Sequence, residues 1–360
     1  MNVLIDINHP AHVHLFRYVY SELIKDGHHA YVAAKPTKAI TALLRLYGIP
    51  YLRMGKNKDS ILGKGIQQVM DFFRLWWIVC TKKIDVGVHG ITLAWVSRIT
   101  RMSCIVSDDD DDEVEPLYAK YAHPFTDVVL SPVGTPRKSK KTIYVHAYHE
   151  LSYLHPNRFK PDPSVLKDAG VTEGEPYFIL RFNAFKAHHD VGVVGLTIEN
   201  KRKLVEYLSS KGKVFITTER DIDDEFKPYQ LKVSPEKAHS LMYYATMFVG
   251  DSQTMTSEAA MLGTPAIRCN TFVGRIHYLE EEEHKYGLTY GFRPEQSNEM
   301  FKKIEDLLAM PNLQEEWQTR REKMLSEKID YSQFLTWFIE NYPESRKIMR
   351  DNPDYQYRFR

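Results

Sequence analysis

Cysteine is scarce: the 360 residues hold three, Cys80, Cys104 and Cys269, far apart and without a CxxC pair. That leaves no disulfide framework to expect and points to a reducing compartment. Charge of one sign is equally lacking, because 48 Lys and Arg against 47 Asp and Glu leave a net charge of +1. No global field then favours nucleic acid, and any anion must be caught locally. The first residues lack a basic stretch followed by an apolar run and read directly as a strand, Asn2-Val-Leu-Ile-Asp6. The expected location is the cytoplasm, with peripheral contact at the inner face of the membrane as a variant. There is no repeat at solenoid spacing, and no low-complexity tract apart from one acidic run, Asp108 to Glu113.

What is present is ordinary globular material, 43% hydrophobic and 26% charged, long enough for two domains with their own cores. Short β-rich runs alternate with longer helical ones, the mark of a mostly parallel sheet wrapped by helices. Strands are expected at residues 2–6, 30–34, 85–89, 103–107 and 127–131, with helices near 13–26, 37–47, 61–82 and 91–101. After a basic and proline-bearing connection the alternation restarts, with strands at 177–182, 213–218, 247–249 and 266–269. The predicted domains are 1–170, Rossmann-like and including the connection, and 171–330, a second Rossmann-like domain. Helices at 331–360 follow, and either cross back to the first domain or bundle on their own.

The stretch from Val249 to Ile267 organises the reading of the chain. The strand end Met247-Phe-Val249 passes through the turn Gly250-Asp-Ser252 into a helix from Thr254 to Leu262, stopped by Gly263 and Pro265. Such a turn lies at the carboxyl end of a strand, where open α/β sheets bind ligands. The helix start, with Ser252, Thr254, Thr256 and Ser257, suits a phosphate, and Glu258 suits the two hydroxyls of a ribose. This is a nucleotide diphosphate site without a P-loop.

The run Ser257-Glu-Ala-Ala260 with Leu262-Gly-Thr-Pro265 resembles the donor-site helix of GT-B glycosyltransferases and of UDP-N-acetylglucosamine 2-epimerases. The whole chain resembles the family DUF354, through Asp6-Ile-Asn-His-Pro-Ala-His-Val-His14, Arg181-Phe-Asn-Ala-Phe-Lys-Ala-His-His-Asp190 and Gly250-Asp-Ser-Gln-Thr-Met255. The resemblance implies a GT-B-like α/β fold, two Rossmann-like doubly wound domains facing across a cleft. It also implies a glycosyltransferase that moves sugar from a nucleotide diphosphate donor, a UDP-sugar, to a hydroxyl acceptor in a surface or lipid-linked glycan. No cofactor and no metal are expected, since GT-B enzymes generally need no divalent ion. A 2-epimerase-like isomerase or hydrolase and a non-catalytic nucleotide-sugar-binding protein are the alternatives.

The first βα turn holds His9, His12 and His14, and imidazole changes charge most easily near neutral pH. His12 matches the position of a His-Val pair in the peptidoglycan N-acetylglucosaminyltransferase and is expected to be the general base, with His14 beside it. Capping of the helix or binding of phosphate oxygens is the other reading of these rings. Asp6 is expected to orient the turn. Val88-His-Gly-Ile-Thr92 resembles the epimerases' His-Gly-Asp-Thr motif, with Ile91 in place of the aspartate, which counts against epimerisation. The acidic run is expected to be a solvated loop, with Asp108 and Asp109, nearest the strand, as the candidate catalytic carboxylates that keep the epimerase alternative open.

Arg181 and Lys186 are expected to neutralise the leaving diphosphate, Arg181 through its planar fork. His188, His189 and Asp190 make only a weak metal signal. By the resemblance, Thr218-Glu-Arg220 borders the base and Arg275 is a second cation, while Glu280 to Glu283 read as a solvated helix face. The aromatic helix Asp71 to Lys83 reads first as a core helix against the sheet, and its mixture of aromatics with Arg74, Lys82 and Lys83 also suits a membrane surface.

Overall fold

A computed structural model describes residues 1–56, 60–182, 195–218 and 222–360. They form two compact units, Met1–His155 together with Lys328–Arg360, and Pro156–Glu327.

The first unit is built on a parallel seven-stranded sheet. Its strands are β1 (Asn2–Ile7), β2 (His29–Ala34), β3 (Leu52–Arg53), β4 (Val86–Val88), β5 (Ser103–Ser107), β6 (Val128–Pro132) and β7 (Thr142–Val145). Their order is β3-β2-β1-β4-β5-β6-β7. Val3, Leu4, Ile5, Val88, Ile105 and Val129 are wholly buried, as a sheet covered on both faces demands. On one face Phe16 of α1 (Pro10–Lys25) and Leu43 of α2 (Lys38–Leu46) join the core. On the other, Leu75 and Val79 of α3 (Ile61–Lys82) pack with Leu93 and Val96 of α4 (Ile91–Ser97). Two short helices, α5 (Pro116–Tyr121) and α6 (Leu151–Leu154), complete this stretch. The chain runs outward from β1 to β3 and returns at β4. The strand order therefore reverses between β1 and β4, the place where doubly wound sheets open a crevice.

In the second unit the parallel sheet is β12-β11-β10-β8-β9. Its strands are β8 (Tyr177–Arg181), β9 (Lys213–Thr217), β10 (Met247–Gly250), β11 (Ala266–Cys269) and β12 (Thr289–Phe292). Around it lie α7 (Ser164–Asp168), α8 (Ile198–Ser209), α9 (Ala238–Tyr244), α10 (Gln253–Leu262), α11 (His277–His284), α12 (Ser297–Leu308) and α13 (Leu313–Glu327). The switch point falls between β8 and β10. Gly250 is required there, since a Cβ would stand 2.7 Å from the carbonyl oxygen of Arg181 on the neighbouring strand.

The chain then returns to the first unit through α14 (Tyr331–Glu340) and α15 (Glu344–Asp351). Phe334, Phe338 and Ile339 enter the same core as Phe16. Thr336 Oγ1 donates to Glu22 of α1 at 2.8 Å, and Ser332 Oγ to the Ser152 carbonyl at 2.7 Å. Three strands are absent from the sequence reading. β3 is two residues long, β7 stands beside a basic run in what reads as a connection, and β12 is four residues with a central glycine.

Candidate functional site

At the switch point of the first unit, the turn after β1 enters α1 through Pro10, and His9 caps the helix by accepting the Ala11 N–H at 3.2 Å. His12 stands one turn in, its Nδ1 accepting the Asn8 N–H at 3.4 Å. Asn8 in turn donates from Nδ2 to Asp6 at 2.8 Å. Asp6 is buried, and burial, only partly offset by Asn8, raises its carboxyl to about 6. His14, two residues on and so on another face of α1, leaves this group. Its Nδ1 lies 3.2 Å from the Tyr47 hydroxyl and its ring 5.3 Å from that of Tyr153.

The ring that meets His12 comes from the residue directly after β4. His89 has φ of 69°, unusual for a residue with a side chain, and its ring centroid lies 4.3 Å from that of His12, edge to face. Gly90 follows at φ 87°, where a Cβ would fall 2.1 Å from Asp6 Oδ2. The strained His89-Gly90 pair thus lets β4 close onto Asp6. His89 Nδ1 is 2.9 Å from the Ser107 carbonyl. A carbonyl only accepts, so Nδ1 carries the hydrogen and Nε2 keeps its lone pair. Burial lowers this imidazole to about 4, with repulsion from His149 adding to the effect. Burial and then His89, His9 and His149 hold His12 well below the usual range as well. Both rings are neutral at pH 7. His12, accepting at Nδ1, presents Nε2–H as a donor, and the proton-accepting nitrogen is that of His89, a residue absent from the expected catalytic set. Its signal in the sequence is the His-Gly pair at a strand end.

The acidic run is not a solvated loop. Arg137, whose side chain is almost wholly buried, lies 3.0 Å from Asp108 Oδ2 and 2.9 Å from Asp112 Oδ1. His123 Nε2 stands 2.8 Å from Asp108. The basic stretch after β6 thus folds onto the acidic one, and Asp108 is committed to this cluster. Asp109 lies 3.0 Å from His149 Nδ1. His149 Nε2 is 2.6 Å from Ser107 Oγ, which is 2.6 Å from the Tyr331 hydroxyl. Carboxylate, imidazole and hydroxyl follow one another as in a nucleophilic triad. Yet Ser107 is wholly buried, so the chain orients His149 rather than arming a serine. Burial opposes ionisation of Asp109, but His149's attraction and hydrogen bond outweigh it and hold the carboxyl below its usual range. Asp110 goes the other way, pushed well above that range by burial and by Asp109, Glu115 and Asp108.

In the second unit, Ser252 caps α10, its Oγ accepting the Met255 N–H at 3.3 Å. The free N–H groups of a ten-residue helix and the partly exposed Thr254 sit beside it, a setting suited to an anion. Ser257 is elsewhere. It is wholly buried and donates to Glu282 Oε1 at 2.5 Å, because residues 252 and 257 lie on different faces of the helix. Its expected phosphate contact gives way to a structural one. Glu258 is buried with Oε1 3.0 Å from His239 Nε2 of α9. Arg181, also buried, donates from Nη1 to Thr217 Oγ1 at 2.8 Å. Lys186, His188, His189 and Asp190 lie outside the described residues, as do Glu219 and Arg220.

Arg275 is exposed on the turn after β11, 5.5 Å above the Phe272 ring. Glu280 braces that turn, accepting from Arg268 Nη2 at 2.7 Å and from the Gly274 N–H at 3.0 Å. Glu282 is wholly buried, and Glu283 accepts the Gly291 N–H at 2.8 Å. The four glutamates are therefore not one solvated face. Three of them tie α11 to α10, β11 and β12.

Solved structures share this architecture. An S. aureus MnaA–UDP co-structure matches at a TM-score of 0.69 with 10% identity, over 96% of this chain and 97% of that one. Spinosyn rhamnosyltransferase SpnG, complexed with spinosyn aglycone, matches at 0.62 with 10% identity, over 95% and 100%. Identities this low establish the fold alone, GT-B-like with two Rossmann-like units. An uncharacterised protein of Methanocaldococcus jannaschii, MJ0665, is 22% identical over 302 residues, 79% of this chain and 86% of its own length. The model of the family described as "Protein of unknown function (DUF354)" matches residues 1–286, and the chain is therefore a member of DUF354.

Proposed function

We propose that this protein is a glycosyltransferase, taking sugar from a nucleotide diphosphate donor and passing it to a hydroxyl acceptor. The observation that carries the reading is His89, a neutral imidazole with a free Nε2 lone pair at the switch point of the first unit. A group of that kind takes the acceptor proton as the hydroxyl oxygen attacks the anomeric carbon. His12, donating from Nε2–H, orients the acceptor oxygen. In the second unit Glu258 holds the ribose, and Ser252, Thr254 and the start of α10 hold phosphate. As the bond from the anomeric carbon to phosphate oxygen breaks, that oxygen keeps the electron pair, and Arg181 and Arg275 neutralise the departing diphosphate. UDP is the first nucleotide to test, given the MnaA–UDP structure.

A second reading has its own support. Asp109 and Asp110 are adjacent carboxyls that their surroundings move in opposite directions, Asp109 below the usual carboxylate range through His149 and Asp110 well above it through burial and the neighbouring acids. Such pairs serve as acid and base, and an epimerase working at C2 of a UDP-sugar needs both. Ile91, in place of an aspartate, argues against it.

The deciding experiment is calorimetric titration with UDP, GDP, CDP and ADP, followed by incubation of the matching nucleotide sugars with and without acceptor in deuterated water. Transfer predicts binding of one diphosphate and acceptor-dependent nucleotide release that His89→Ala abolishes while leaving that affinity intact. Acceptor-independent deuterium incorporation at C2 selects epimerisation. A folded sample that binds none of the four ends both readings.

A further inference from the structure

Helix α3 covers the sheet with Leu75, Ile78 and Val79, and its opposite side is also apolar. Ile66 is 64% exposed, Val69 56%, Met70 48%, Phe73 59%, Trp76 41% and Trp77 62%. These positions fall at intervals of three and four residues, so they form one continuous stripe along the helix. A surface helix ordinarily turns charged residues outward, and a contiguous apolar patch marks an interaction site.

The charges beside the stripe say what kind of partner fits it. Arg74, Lys82 and Lys83 are exposed. The single acid of α3, Asp71, is buried and accepts from the Gly55 N–H at 3.0 Å and from Gln67 at 2.9 Å. The outer face therefore offers aromatic rings and cations with no acidic group of its own. The surface extends past α3, which packs beside α4. Trp95 of α4 donates to the Tyr121 carbonyl at 2.7 Å, and Leu117 and Tyr121 of α5 are exposed with Lys120.

We propose that this face is a docking surface for an anionic lipid bilayer. Aromatic rings settle at the headgroup level, long apolar side chains enter the acyl boundary, and cations meet anionic headgroups. Among the described residues no helix is long and apolar enough to cross a membrane, so α3 lies on the surface instead of spanning it. Its N-terminal half is tied to α4 by Gln68 Nε2 donating to Thr92 Oγ1 at 2.5 Å, and α4 begins directly after His89 and Gly90. A bilayer under α3 thus lies beside the edge of the first unit that carries these residues. The docking holds whether or not the chemistry is glycosyl transfer.

The test uses the full chain with vesicles of phosphatidylcholine, with and without phosphatidylglycerol. Vesicle association should be about 100-fold tighter with the anionic lipid, as expected for three cations near a charged surface. Tryptophan emission should shift to the blue and be quenched by brominated lipid, and Trp76→Ser/Trp77→Ser should lose the quenching. Arg74→Gln/Lys82→Gln/Lys83→Gln should remove the preference for anionic vesicles while leaving the thermal midpoint unchanged. This charge variant and the quenching of the unaltered chain decide the matter even if the tryptophan variant misfolds. Absence of vesicle association overturns the proposal. So does concentration-dependent self-association without lipid that Trp76→Ser/Trp77→Ser abolishes, which would assign the stripe to a second copy of the chain.

Discussion

His89 Nδ1 lies 2.9 Å from the carbonyl oxygen of Ser107, and this contact across two neighbouring strands fixes which nitrogen of the imidazole is free. Nitrogen-15 NMR should show His89 as the Nδ1–H tautomer, protonating only near pH 4. The stability consequence has a definite sign. A histidine whose folded value lies below its unfolded value of about 6.5 binds fewer protons in the native state. Its stabilising contribution is present above 6.5 and is lost as pH falls through 4. A shift of this size corresponds to about 3 kcal/mol. Urea unfolding midpoints should fall between pH 6.5 and 4, and His89→Gln should flatten that fall.

Asp6 has the opposite sign. Burial raises its carboxyl from 3.8 to about 6, so the native state binds more protons than the unfolded chain between those values. The contribution is full below 3.8 and is lost as pH rises through 6. Ionised Asp6 therefore destabilises the protein at pH 7, by up to about 3 kcal/mol. Asp6→Asn keeps the shape, and should raise the urea midpoint at pH 7.5 while leaving it nearly unchanged at pH 4. An equal loss at both pH values would show that the carboxylate is needed for the fold.

Ser252 and Ser257 are five residues apart and should behave differently. Ser257→Ala removes the donor to buried Glu282, and a buried carboxylate that loses a hydrogen bond costs about 1–3 kcal/mol. The thermal midpoint should drop while nucleotide affinity stays. Ser252→Ala removes the cap of α10, worth about 1 kcal/mol, and should also weaken diphosphate binding. Calorimetric titration and thermal unfolding of the two variants separate the roles.

The alternation of strand and helix was legible because buried parallel strands are short apolar runs, as in Phe248-Val249 and Cys104-Ile-Val106. Two-residue β3 and the glycine-bearing β12 carry too little pattern to be read. Local geometry was legible where strand end, turn and helix follow one another in a single stretch, as from Met247 to Leu262. The site was not legible where partners come from distant segments. Nothing local shows that Arg137 folds onto Asp108 and Asp112, or that Tyr331 joins Ser107 across 224 positions. Charge runs mislead for the same reason. Glu280 to Glu283 look solvated until the helix is placed against Ser257, Arg268 and Gly291.

Glu258 makes the sharpest demand on the donor assignment. One of its oxygens is 3.0 Å from His239 Nε2, a contact that ties α10 to α9. Glu258→Ala removes both the proposed ribose acceptor and the partner of His239. Loss of hydrogen bonds to a charged group should weaken binding of the matching nucleoside diphosphate about 10- to 100-fold. His239→Ala leaves the carboxylate in place but less fixed, so its loss should be smaller and its thermal midpoint lower than the parent's. The comparison that isolates the ribose is the same titration with inorganic pyrophosphate, which Glu258→Ala should leave unchanged. Equal weakening of nucleotide and pyrophosphate would mean that Glu258 supports the helix start and does not touch the sugar. Unchanged nucleotide affinity in a folded Glu258→Ala protein would remove this residue from the donor site altogether.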